Sequence, residues 1–159
     1  MRKGFTLVEL SIVLVIVGLL IGGVLKGKEM IESTKIKKVK TDIDSIVAAT
    51  YAYQDKKGYL PGDGVSGNGL IEASESNAAW TALINEGLVS GDTAIQGGAK
   101  KNPFGMHYGF DVNGTINVIT TDVVDAQIIS DLDLKFDNGN TATGDLTIKT
   151  GTTLQWAAF

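Results

Sequence analysis

An apolar run over residues 5–25 constrains this chain more than any other feature. Its 21 residues, "FTLVELSIVLVIVGLLIGGVL", contain a single charge, Glu9. As a helix rising 1.5 Å per residue, the run would be about 31 Å long, roughly one bilayer core. A cleaved secretory signal has a shorter apolar stretch, about 7 to 15 residues, that ends in a small-x-small site. Here Lys26-Gly27-Lys28 follows instead. Arg2 and Lys3 place the N-terminus in the cytoplasm and the bulk of the chain outside, while Lys26 and Lys28 pull against that orientation. Glu9 is the anomaly, because an ionisable side chain within a span is costly and usually has a partner or a function. If the chain were cut between Gly4 and Phe5, a new α-amino group would appear one helical turn from Glu9. The carboxylate of one copy would then meet the amine of its neighbour.

The stretch "KGFTLVELSIVLVIVGLL" resembles the class III signal of type IV pilins and type II secretion pseudopilins. It has a short basic leader ending in Gly, then Phe, then Thr-Leu-x-Glu-Leu and a long apolar helix. The resemblance implies that a prepilin peptidase cuts between Gly4 and Phe5 and methylates Phe5, and that Glu9, with Phe5, guides docking into a filament. It also implies an α+β fold: a long N-terminal helix whose first half spans the membrane, with a small antiparallel sheet packed on its second half. The subunit would wait as a single-pass inner-membrane protein, N-terminus inside. An inner-membrane assembly platform would then build it into a homopolymer held by the N-terminal helices, in the periplasm or outside the cell. Two family functions follow: a type IV pilus-like filament for adhesion, motility or uptake, or a type II secretion pseudopilus that drives protein export. A reading from another class is a membrane-tethered extracytoplasmic binding domain that keeps residues 1–4. Many type IV pilins carry a proline late in this helix, whereas "GGVLKGKEM" has none.

The residues divide the chain into a leader (1–4), an apolar helix (5–25), an amphipathic helix (26–58) and a globular head (59–159). Beyond Lys28, Ile36, Val39, Ile43, Ile46, Val47, Thr50 and Tyr53 recur at steps of three and four and so predict one continuing helical face. Gly58 and Pro61 end it. Gly18, Gly22 and Gly23 fit either close helix packing or a stretch that unwinds on leaving the bilayer. The net charge of −4 conceals an asymmetry: residues 1–59 sum to +4 and the remainder to −8. A cationic rod and an anionic head would attract each other between copies. The run "KIKKVK" also has the composition of a nucleic-acid or anionic-lipid contact, although a solvated helix face explains it as well.

In the head, "ESNAAWTALINEGLVSG" predicts a short helix burying Trp80, Leu83 and Ile84 and closed by Gly87. "YGFDVNGTINVIT" reads as a hairpin turning at Asn113-Gly114. "DLDLKFDNGNTATGDLTIKT" reads as a second hairpin, with Leu132, Leu134 and Phe136 inward and Asp131, Asp133 and Lys135 outward on its first strand. About four antiparallel strands follow. The resemblance implies calcium as the one candidate cofactor, since major pseudopilins hold it in a head loop. Asp131, Asp133, Asp137 and Asn138 are the candidate ligands, ahead of Asp63, Asn68 and Glu72. Neither stretch has EF-hand spacing, and an acidic wet face beside an Asn-Gly turn explains the second equally. No cysteine is present, so a disulfide, a Cys-based zinc site and thiol catalysis are all impossible. The lone His107 has no triad, P-loop or HExxH context, so the sequence predicts no enzyme.

Overall fold

The structure, a computed structural model, describes residues 4–64, 66–91, 100–123 and 125–159. Two compact units divide at Lys35 and Ile36, and helix α1 (Leu7–Lys57) contributes residues to both.

In the first unit α1 is exposed throughout its apolar stretch, from Leu7 to Leu25. It is long and apolar enough to cross a membrane, and none of its most apolar window is buried by the chain. Gly18, Gly22 and Gly23 remain helical here, and a methyl group added at any of them would meet only open space.

In the second unit, residues 36–57 of α1 supply one wall of the core. Ile36, Val39, Ile43, Ile46, Thr50 and Tyr53 are buried as the periodicity predicts, and Val47 is half-buried. Each fully buried aliphatic side chain contributes about 1.5 to 3 kcal/mol. The helix stops because Gly58 takes a φ of 85°, with its amide donating to the carbonyl of Gln54. Helix α2 (Ser76–Asn85) buries Trp80 and Leu83, while Ile84 is only half-buried. Its end is a Schellman motif, with Gly87 at φ 71° donating to Ile84 and Leu88 donating to Leu83.

The sheet runs β1 (Tyr108–Asn113), β2 (Ile116–Asp122), β4 (Thr153–Ala157), β3 (Leu146–Thr150), all antiparallel neighbours. Both hairpins turn on Gly-Thr: Asn113 pairs with Ile116 around Gly114-Thr115, and Thr150 with Thr153 around Gly151-Thr152. The two glycines take φ of 66° and 58°. Asn113 therefore ends the first strand instead of occupying the turn.

The stretch expected as the third strand is a helix, α3 (Ala126–Phe136). Asp125 caps it in an extended conformation and accepts from the Gln127 amide at 2.9 Å. Ile128, Ile129 and Leu132 form its buried face. The alternation in "DLDLKF" is too short to outweigh that spacing. Asp133 lies inward and Leu134 is 76% exposed, the reverse of the strand expectation. The fourth strand comes instead from "TLQWA" near the C-terminus.

Candidate functional site

Residues 4–6 precede the helix, and Leu7 is its first residue. Thr6 stands at the cap and Glu9 three residues on, which is the spacing of a capping box. The Glu9 amide donates to Thr6 Oγ1 at 3.3 Å, and the Thr6 amide donates to Glu9 Oε2 at 2.8 Å. The Thr6 hydroxyl adds a bond to the same Oε2 at 2.7 Å. Glu9 thus has a partner within its own chain, and both of its bonds fall on one carboxylate oxygen. The Thr-x-x-Glu signature was present in the sequence, masked there by the spacing from Phe5. Gly4 and Phe5 are exposed, with Phe5 83% so, while Met1 to Lys3, the rest of the expected leader, lie outside the described residues.

Asp131, Asp133, Asp137 and Asn138 sit on α3 and the loop after it, where they mostly hold local structure. Asp131 accepts from Gln127 Nε2 at 3.1 Å. Asp133 is fully buried; Oδ1 accepts from the Gly139 amide at 3.1 Å, and Oδ2 has no partner. Asp137 Oδ2 accepts from the Leu146 amide at 2.8 Å, and Asn138 Nδ2 donates to the Thr143 carbonyl at 3.0 Å. In the earlier loop Asp63 is buried, taking the Asn68 amide on Oδ1 and the Gly69 amide on Oδ2. Asn68 Nδ2 donates to Glu72. The Glu72 and Glu75 carboxyls lie side by side; their hydrogen bond holds Glu72 below the ordinary carboxylate range and pushes Glu75 above it. Among the described residues, no group of three or more His, Asp or Glu is arranged to hold a metal ion.

Sequence reasoning missed Asp42. It falls at helical spacing within the apolar stripe, beside Val39, Ile43 and Ile46, and is 2% exposed. Lys38 Nζ lies 2.7 Å and Lys100 Nζ 3.0 Å from Oδ1, and the Tyr108 hydroxyl donates to Oδ2 at 3.4 Å. Burial, then the Asp42 charge, push the Tyr108 hydroxyl far above the ordinary tyrosine range. Other rod lysines are also engaged within the chain: Lys40 with Asp44 and the face of Trp156, and Lys56 and Lys57 with Glu86. Attraction between the second half of α1 and the rest of its unit therefore operates within one chain. Tyr53 packs edge-on against Tyr59, and Tyr51 against Phe159.

Taken together, the chain has an exposed apolar helical stretch with a self-capped start, preceded in sequence by Arg2 and Lys3. Residues 1–25 match the family model of the prokaryotic N-terminal methylation motif. This motif is consistent with the type IV pilin and pseudopilin family, whose members are structural proteins. Neither the curated proteins nor the solved structures include a significant match to the chain. The motif and the apolar α1 fit membrane anchoring before assembly, and the long helix followed by a four-stranded antiparallel sheet is a pilin-like α+β arrangement.

Proposed function

We propose that this chain is a structural subunit that polymerises into a type IV pilus-like filament after prepilin peptidase cleaves between Gly4 and Phe5 and methylates Phe5. The supporting observation is the methylation motif joined to an apolar stretch of α1, Leu7 to Leu25, that its own chain leaves exposed. Copies of that helix bury one another in the filament core. Glu9 keeps its capping bonds on Oε2 and turns its other oxygen to the α-amine of a neighbouring Phe5. That pairing fixes axial register, as buried polar groups do in some helical assemblies.

Intact mass and N-terminal sequencing of the protein from its native host test the processing. We expect a chain starting at methylated Phe5; a functional chain still carrying residues 1–4 overturns the proposal. Glu9→Gln separates the two roles of Glu9, because glutamine also completes a capping box but carries no charge. We expect Glu9→Gln to insert in the membrane and be processed, yet to assemble as poorly as Glu9→Ala. Normal filaments from Glu9→Gln would show that Glu9 serves only its own helix.

A further inference from the structure

The two outer strands of the sheet, β1 and β3, have their outward amides occupied. In the β1–β2 ladder, Asn117 turns its backbone toward the C-terminal segment: its amide donates to the Phe159 carbonyl at 3.1 Å and its carbonyl accepts from Ala158 at 2.9 Å. Its partner Val112 is therefore a non-bonded pair, and by the two-residue period Val112, Phe110 and Tyr108 all direct their amides away from β2. Each is taken. Tyr108 donates to the Lys100 carbonyl at 3.2 Å, Phe110 to Ser76 Oγ at 2.9 Å, and Val112 to Asp111 Oδ1 at 2.9 Å.

The same logic holds at the other edge. The Ala157 amide donates toward β3, to the Asp145 carbonyl at 2.7 Å, so Leu154 and Trp156 face β2. Their β3 partners Ile148 and Leu146 then point outward. Leu146 donates to Asp137 Oδ2 at 2.8 Å and Ile148 to the Thr141 carbonyl at 3.0 Å. Two of the closing groups come from helix ends. Ser76 is the first residue of α2, and Asp137 is the C-cap of α3. Asp111 is itself held by Lys149, an ion pair that joins the two outermost strands.

An unpaired strand edge templates addition of another strand, and proteins that avoid this cover or block the edge. We propose that Ser76, Asp111 and Asp137, with the Lys100 and Thr141 carbonyls, close both edges of this sheet to strand addition, so that copies of the head meet through side-chain surfaces and never through a shared sheet. The inference rests on sheet geometry and stands whether or not the chain forms a filament.

Backbone hydrogen exchange on the full chain in detergent micelles tests the closure. The Phe110, Leu146 and Ile148 amides should exchange at rates close to those of central β2; rates of an unstructured chain at these amides would overturn the proposal. In the double variant Ser76→Ala, Asp111→Ala, the Phe110 and Val112 amides should exchange roughly tenfold faster or more, the factor that about 1.4 kcal/mol of lost bonding represents. The folded variant should also form thioflavin-binding intermolecular sheet that the unmodified chain lacks. Exposed amides without such sheet would refute the protective role. Asp111→Asn, which keeps the oxygen acceptor, should stay closed. Should the double variant not fold, Ser76→Ala alone gives the same comparison at Phe110. Thioflavin reports strand addition and is blind to helical packing, so failure here is distinct from failure of the filament reading.

Discussion

Replacing Asp42 by alanine tests whether the buried carboxylate holds α1 to the sheet. The substitution strands the Tyr108 hydroxyl, which is fully buried, and removes the ion-pair partner of Lys100, whose side chain is 28% exposed and keeps its 2.8 Å bond to Ser45 Oγ. Lys38 is 58% exposed and simply returns to solvent. A buried hydroxyl without an acceptor costs about 1 to 3 kcal/mol, and the 3.4 Å bond places Tyr108 near the lower figure. The Lys100 ammonium reaches solvent, so its pair with Asp42 is partly screened and adds about 1 kcal/mol. A total of about 2 to 3 kcal/mol corresponds to a Tm roughly 10 °C lower in a unit of this size. Asp42→Asn retains the acceptor and should lose about half as much, while Lys38→Ala should change Tm by less than about 2 °C. Thermal unfolding of the full chain in detergent, followed by near-UV circular dichroism, gives the comparison. Asp42→Ala melting with the parent, or Lys38→Ala melting as low as Asp42→Ala, would refute this account.

Three further outcomes are expected. Gly62 has a φ of 86°, and a methyl group there would sit 3.0 Å from the backbone of Glu75 and Ala79. Gly62→Ala should therefore destabilise the head by about 2 kcal/mol or more in denaturant titration, and a neutral result would contradict the described loop. Asn117 is buried, accepting from the Ile71 amide at 2.7 Å and donating to the Gly69 carbonyl at 3.1 Å; its replacement by alanine should cost about 2 to 3 kcal/mol. Alkaline pH should weaken the fold. Burial, then the Tyr59 hydrogen bond, push Tyr53 up to about 12 from the ordinary 10.0, and Tyr108 is raised as well. The unfolded chain loses these protons first, so stability is intact below pH 10 and falls as pH rises, with the Tyr53 contribution gone near pH 12. Tyrosinate absorbance and unfolding should advance together; tyrosines that titrate near their ordinary value in the folded chain would sink this prediction.

Much of this architecture was legible because its signals are long or chemically narrow. The apolar run, the Ile36 to Tyr53 stripe, the Gly58 and Gly87 stops and the strand pair around Gly114 are of that kind. The α3 segment was not, because six residues of alternation in "DLDLKF" compete with a helical spacing that begins farther back, at Ile128. Leu134 on the wet side and Asp133 in the core invert what alternation suggests. At the candidate site, Glu9 stood out as a charge within an apolar run. Its bond to Thr6 is equally readable in the Thr-x-x-Glu spacing, which competes with the spacing from Phe5. Asp42 was hidden by its polarity. A carboxylate on an apolar face reads as a break in the stripe until Lys100 and Tyr108, about sixty residues away in sequence, are brought to it.

The Thr6–Glu9 box also acts as a ruler. A helix that relied on its surroundings to define its beginning could fray or extend by a turn as it passed between lipid, detergent and protein. Here the first helical residue is marked by two side chains three positions apart in the chain's own sequence. Gly4 and Phe5 consequently stay outside the helical ladder, immediately upstream of a fixed mark. An enzyme that must find one peptide bond at a membrane surface would meet it as unwound chain at a constant offset from the first turn of the helix. The position of a cut would then be read from geometry as much as from the identity of the residues on either side.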